Sequence, residues 1–456
     1  MAHIIDHEFY KDSWGTPEMR AVFDDRARFE RWLDIEATLA EIQAGLGIVP
    51  EEAAREIRAK ARFACIDEDR MREDLGSTGH TLMALLNGLE RACEKPHGEW
   101  IHYGPTTQDI QDTGAVLEMR DAWAILVRDL KRLEAACLAL AERHAATPMV
   151  GRTHGQHGLP MTLGMKIAGW AAELRRDIER MKDIPSRAFF VMLHGGVGTQ
   201  ASFGAAAEET TKRFAAHYGL FVPPTCWANA RDGMAEYQTV LGIVAGTLGR
   251  IANEVFELSR TEVSELHEPT PKTMVGSTTM PHKRNAVRSE FTGAMVKVVM
   301  NNTLLGLQGM IVEHERDTRV WRLDWHSLPE SSLMLHKALA HMIAVVEGLD
   351  VDEARIAANL DMLGGAIMSE AVMFHLGTRL GKQTAHHVLH EATMEAAETG
   401  RPFREAVLGH PALQGVIAAE ELEGLMDYSQ YLGTAEAQVH AVIAESRKRA
   451  ETDPEV

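Results

Sequence analysis

The sequence predicts an all-α fold of three helical domains around a central bundle of long helices, and three observations carry that expectation. Between Ala115 and Ala145 the residues Val116, Met119, Trp123, Leu126, Leu130, Leu133, Cys137 and Leu140 fall in steps of three and four, with no Gly or Pro between them. This spacing lays one apolar stripe along a helix, and at about 1.5 Å per residue such a helix is roughly 45 Å long. Equivalent seams recur at Leu241, Val244, Leu248, Ile251, Val255 and Leu258, and at Leu335, Leu339, Met342, Val346 and Leu349. Strand-like alternation is scarce by comparison. Long apolar stripes are best buried against one another, as a bundle that subunits can share.

In chain order, residues 1–103 read as an amino-terminal domain of shorter helices. Asp24 can cap a helix through Phe29, Leu33, Ala37 and Ala40 that Gly45 and Gly47 end, and Pro50 starts the next. Residues 104–349 hold the long-helix bundle. Within them Pro160 is expected to open a helix to Met181, along Leu163, Ile167, Trp170 and Leu174. Residues 350–456 return to shorter amphipathic pieces broken at Gly364, Gly365, Gly400, Pro402, Gly409 and Pro411, a small carboxy-terminal domain.

A chain of 456 residues with 45% hydrophobic residues can bury a substantial core. Its formal net charge of -19 argues against a general nucleic-acid or anionic-membrane binder, because such surfaces repel its average field. Cys65, Cys93, Cys137 and Cys226 form no CxxC pair, so neither a zinc site nor a disulfide framework is expected, and a reducing, cytoplasmic setting fits. No export signal is visible near Met1, and no uncharged apolar run approaches the roughly 20 residues that cross a bilayer. The 22 histidines include no HExxH pattern, and no metal site is expected. Gly195, Gly196 and Gly198 suggest a phosphate loop only superficially, because no Lys-Ser/Thr follows; a tight turn is the plainer reading.

Three polar segments lie at the ends of the apolar seams. Tyr103 to Thr113, YGPTTQDIQDT, places hydroxyls and carboxylates before the longest helix. They can receive an anionic substrate, or Thr107 or Asp109 can simply cap the helix. Gly151 to Thr162, GRTHGQHGLPMT, carries His154 and His157, either proton-transfer groups or ordinary surface histidines. Ser264 to Glu290 reads as a mobile lid leading into a new helix, with Ser277, Thr278 and Thr279 at the lid's end and Lys283 and Asn285 in the first helical turn. Backbone amides, the ammonium and the side-chain amide can hold a carboxylate and the charge that develops when its α-carbon loses a proton. The alternative is a hydroxyl-capped helix with a solvated lysine.

The run GSTTMPHKRNAVRSE resembles the signature of the fumarase/aspartase superfamily, Gly-Ser-Ser-x-Met-Pro-x-Lys-x-Asn followed by a downstream Glu. YGPTTQDIQDT and GRTHGQH resemble that family's two other blocks, in the same order. The resemblance implies three helical domains and a homotetramer whose core pools the central helices, with each active site assembled from three subunits. The carboxy-terminal half, including HERDTRVWRLDWHSLPE, looks most like 3-carboxy-cis,cis-muconate cycloisomerase, and the amino-terminal half more like adenylosuccinate lyase. His154 resembles the lyase's general acid, a position at which the cycloisomerases generally lack histidine. Adenylosuccinate itself is disfavoured, because Ser13 and Trp14 replace an Arg-Tyr pair that meets the nucleotide phosphate, and Ala230 replaces a glutamine before Arg231 and Asp232. The second serine of the signature, the family's proton-abstracting base, is Thr278 here, and its later Pro is Ala286.

By that resemblance the expected reaction is elimination of an amine or other group from an N-substituted aspartate or related succinyl compound, giving fumarate. Thr278, with Ser277 adjacent, takes the proton α to a carboxylate. Lys283, Asn285 and helix-start amides stabilise the dianion, and His154, oriented by Glu290, protonates the leaving nitrogen or oxygen. His80, Thr106, Thr107 and Thr153 hold the carboxylates of a small dicarboxylate substrate. No cofactor, metal, nucleic acid or membrane enters the scheme. Two alternatives stand beside it: a cycloisomerase with little dependence on His154, and a non-catalytic structural protein of the same fold.

Overall fold

The computed structural model describes residues 3–271 and 276–456. The amino-terminal part follows the sequence closely. Helix α1 (Asp25–Ala44) begins where the Asp24 carboxylate accepts the amides of Arg26 and Ala27 at 3.0 and 3.2 Å, and Gly45 closes it. Pro50 precedes α2 (Glu51–Lys60), and His80 caps α3 (Thr81–Ala92) through Nδ1, which accepts the amide of Met83 at 3.3 Å. Trp32, Leu33 and Ile35 of α1 join the same buried core as the long helices.

The longest rod, α4 (Thr107–Arg143), starts earlier than its seam predicts and spans 37 residues, or about 55 Å. An antiparallel hairpin follows, β1 (Pro148–Thr153) with β2 (Gln156–Thr162), where the sequence suggested only a polar stretch ahead of Pro160. Pro160 lies inside β2, paired with Val150, and α5 (Leu163–Asp183) starts three residues later, where Thr162 Oγ1 accepts the amide of Met165 at 3.0 Å. The expected helix start at Pro160 is corrected accordingly. Gly164 allows the end of α4 and the start of α5 to touch, since a Cβ there would stand 2.5 Å from Ala141 O and 2.6 Å from His144 O. Trp123 Nε1 donates to Met181 O at 2.7 Å, so α5 runs back along α4.

Three further rods complete the bundle: α6 (Asp232–Leu258), α7 (Val287–Gln308) and α8 (Leu323–Glu347). Their directions follow from one buried cluster. Arg231, just before α6, bonds Asp112 near the start of α4 and Asp324 near the start of α8, so these three rods begin at one end of the bundle. The described residues between α6 and α7, 259–271 and 276–286, therefore lie at the opposite end, near the hairpin, where Arg152 pairs with Glu265. A separate core of Val372, Leu376, Leu389, Phe403 and Leu422 organises the carboxy-terminal part. The last helix, α9 (Ala435–Ala450), returns to the bundle through Val439 and Ile443. The residues after it follow α9 back, and Arg175 of α5 is held between Glu134 and Asp453. Among the described residues no single helix is long and apolar enough to cross a membrane.

Candidate active site

At the start of α4, Thr106 and Asp109 form a capping box in which the Thr106 amide donates to Asp109 Oδ2 at 2.8 Å. Asp109 also accepts the amides of His194 and Gly195, both at 2.8 Å, which ties the glycine turn to the helix start. Burial holds its carboxyl above the usual value while these amides oppose the rise. Asp109 is thus a cap, as the plainer sequence reading had it, and Gly195 and Gly198 occupy positive-φ turn positions rather than a phosphate loop.

Thr106 and Thr107 face a cavity of 550 Å³ shared with His80, Arg316, Arg322 and Trp325. Because His80 Nδ1 accepts a backbone amide, the neutral ring carries its hydrogen on Nε2, which points at Thr107 Oγ1 across 3.3 Å. Arg316 donates to Gln108 Oε1 and to Gly196 O, both at 2.9 Å, and Arg322 lies 6.0 Å from the Trp325 ring. Neither guanidinium has a carboxylate partner among the described residues, and a planar cation in that condition suits a substrate carboxylate. The two arginines and Trp325 were missed as site residues, although the segment HERDTRVWRLDWHSLPE that carries them stood out by its likeness to the cycloisomerases. Asp112 fixes that segment by accepting from Trp321 Nε1 at 2.8 Å, Gln108 Nε2 at 2.9 Å and Arg231 at 2.5 Å. Asp324, the second partner of Arg231, has its carboxyl raised by burial against the pull of that guanidinium.

The other expected residues lie at the far end of the rods. Thr153 pairs with Gln156, so His154 and Gly155 form a two-residue hairpin turn, both with positive φ, at 54° and 74°. Such turns favour Asn-Gly; a histidine in the left-handed region, exposed at the tip, is a local oddity of the kind that functional sites retain. The hairpin is held by Arg152 on the fully buried Glu265, at 2.6 and 2.9 Å. His157 is half-buried, with its basicity lowered by burial and by Arg152.

In the third segment, residues 272–275 of the expected lid lie outside the described residues. Ser277 Oγ accepts the amide of Met280 at 3.0 Å, while Thr278 and Lys283 are exposed. Two expectations are corrected here. Lys283 and Asn285 precede α7 instead of lying in its first turn, and Asn285 Nδ2 donates to Gly276 O at 2.7 Å, bracing the loop. The amides at the helix start are also occupied, because the buried Glu268 carboxylate accepts from Arg288 and Ser289 at 3.0 and 2.7 Å. Glu290 is exposed and forms no hydrogen bond with His154 within one chain, among the described residues.

One chain therefore brings His80, Thr106 and Thr107 together at one end. Ser277, Thr278, Lys283, Asn285 and, on the hairpin, Thr153 and His154 sit at the other, with the roughly 55 Å of α4 between the two groups.

A family model described as Lyase matches residues 12–301, and one described as Adenylosuccinate lyase C-terminus matches residues 365–442. The chain is 39% identical over 97% of its length to N-acetyl-S-(2-succino)cysteine lyase of Dickeya dadantii, with 97% of that protein covered. It is 38% identical over 98% of both chains to 3-carboxy-cis,cis-muconate cycloisomerase of Pseudomonas aeruginosa. Among solved structures, the 3-carboxy-cis,cis-muconate lactonizing enzyme of Pseudomonas putida superimposes with a TM-score of 0.91 at 32% identity, covering 97% of this chain and 100% of that one. A fumarate lyase from Mesorhizobium sp. BNC1 gives 0.88 at 34% identity, covering 94% and 98%. With family models, full-length relatives and the helical architecture in agreement, the chain belongs to the fumarase/aspartase superfamily of lyases.

Proposed function

We propose that this lyase releases fumarate from a succinylated thiol or amine. The observation that carries the reading is the cavity in which His80, Thr106 and Thr107 meet two guanidinium groups without carboxylate partners, a receptor for a dianionic succinyl group. Thr278, in its ionised form, takes a proton from the succinyl methylene. The C–H electron pair enters the adjacent carboxylate, and the resulting dianion is met by Lys283 and the Asn285 amide. That pair then returns to form the C=C bond as the bond to sulfur or nitrogen breaks and its electrons leave with the heteroatom. His154 supplies the proton that a nitrogen leaving group requires. With Glu268 on the first amides of α7, the dianion's support falls to Lys283 and Asn285 rather than to the helix start.

The relatives named for N-acetyl-S-(2-succino)cysteine widen the leaving group from the nitrogen or oxygen expected from sequence to sulfur. A thiol ionises near pH 8.5, so a thiolate departs with less help from an acid than an amine does. With the two residue groups apart along α4, the reading needs partner copies, in the homotetramer that the superfamily resemblance implies. An apolar stripe of Met300, Leu304, Leu307 and Ile311, exposed by 47% to 76%, offers the surface. The test is an ultraviolet assay for fumarate over S-(2-succino) and N-succinyl compounds, with sedimentation to fix the oligomer. Turnover of 3-carboxymuconate with no fumarate from any of them would favour the cycloisomerase reading, and dicarboxylate binding without turnover a structural role.

A further inference from the structure

Behind the substrate cavity lies a second one of 230 Å³, and the two share Thr81, Gln111 and Trp325 as a common wall. Its apolar lining comes from Phe29, Trp32, Ala115, Leu328 and Pro329 as well as Trp325. Most of its charged lining is matched: Arg28 forms two bonds with Glu118, at 2.8 and 2.9 Å, and Arg231 is held between Asp112 and Asp324, while the exposed Asp25 is the one charged lining residue without a hydrogen-bond or ion-pair partner among the described residues. A ligand entering there meets mainly aromatic and aliphatic faces, with the exposed Asp25 the single unpaired charge on the lining. An apolar cavity of about 150 Å³ is enough to hold benzene, so this one has room for a single ring with its connecting methylene.

We propose that this cavity is the subsite for an uncharged apolar tail on the leaving group, an aryl-methyl or branched alkyl substituent, admitted past Trp325 while the succinyl carboxylates are held by His80, Thr106 and Arg316. The proposal rests on the succinyl-lyase reading and narrows it to a substrate class. Ala115 controls the size of the cavity: it sits on α4, half-buried, and has no part in holding the succinyl group.

The experiment compares S-benzyl and S-methyl 2-mercaptosuccinate as substrates of the full-length wild type and of Ala115→Leu. Ala115→Val serves as a milder variant should the larger side chain impair folding. The wild type is expected to favour the benzyl compound by about tenfold or more in kcat/KM, the scale of discrimination that a hydrophobic pocket provides. Ala115→Leu should erase that preference while leaving the methyl compound within about twofold. Equal kcat/KM for both compounds in wild type and variants overturns the subsite and leaves the lyase reading intact. If neither compound yields fumarate, the lyase reading fails for these thioethers, and the cavity is judged by binding alone. Saturable quenching of tryptophan fluorescence by benzyl alcohol, lost in Ala115→Leu, upholds it; no saturable binding to the wild type overturns it.

Discussion

Replacing Arg231 by Met removes the cation between two buried carboxylates, and the structure sets the size of the effect. Asp112 and Asp324 bond the same guanidinium at 2.5 and 2.7 Å, and all three side chains are buried. Without the guanidinium, the least costly relief is a proton on one carboxyl group, because two close charges in a water-poor site resist double ionisation. Taking up that proton costs about 1.4 kcal/mol for each pH unit above an ordinary carboxyl value near 3.9, hence about 5 kcal/mol at pH 7.5 and about 2 kcal/mol at pH 5.5. The larger figure agrees with the roughly 3–5 kcal/mol typical when a buried ion pair loses one partner. The folded variant keeps a proton that the unfolded chain releases above about pH 4, so its stability falls as pH rises. Asp324 already leans this way, raised by burial with Arg231 opposing. Urea denaturation followed by far-ultraviolet circular dichroism, at fixed protein concentration and at both pH values, measures the difference from the wild type. A loss under about 1 kcal/mol at pH 7.5, or a larger loss at pH 5.5 than at 7.5, refutes the reasoning. Arg231→Met combined with Asp112→Leu and Asp324→Leu should recover most of the stability, because no buried charge is then left alone.

Other expectations concern chemistry and assembly. His154→Ala should lower fumarate release from an N-succinyl substrate by about 10²–10⁴-fold, measured at saturating substrate, and from a thioether far less. Thr278→Val, which keeps the shape and removes the hydroxyl, should cut kcat by about 10²-fold or more, whereas Thr278→Ser should retain turnover. Gly164→Ala should destabilise the fold by about 1–3 kcal/mol in urea titration, because the new methyl meets backbone of α4 that cannot step aside. Leu304→Asp, on the exposed face of α7, should shift the protein to smaller species in sedimentation velocity and abolish turnover with its helical signal unchanged.

The rods were legible because their apolar residues repeat at helical spacing over long uninterrupted stretches, and Asp24, Pro50 and Gly45 mark ends with local chemistry. The hairpin escaped because Pro160 is ambiguous: its fixed φ suits a helix start and also an extended strand, and the choice is made by pairing with Val150. Lys283 and Asn285 were placed one turn too early in a helix for a related reason. What starts α7 is Glu268, some twenty residues upstream, and a distant cap leaves no mark in the adjacent sequence. Arg316, Arg322 and Trp325 join the cavity of His80, Thr106 and Thr107 because Asp112, on a different helix, accepts from Trp321 and Gln108. Sequence proximity carries no trace of that arrangement. Polar clusters at seam ends, by contrast, were visible as soon as the seams were.

The unbroken length of α4 has a genetic corollary. On the proposed assembly, in which the groups at opposite tips of this strut meet only across neighbouring copies, damage at one tip need not be fatal in mixed company. Coexpressed Thr107→Val and His154→Ala chains, each strongly impaired alone on an N-succinyl substrate, should regain a fraction of fumarate release when they assemble together, because some junctions then draw an intact tip from each.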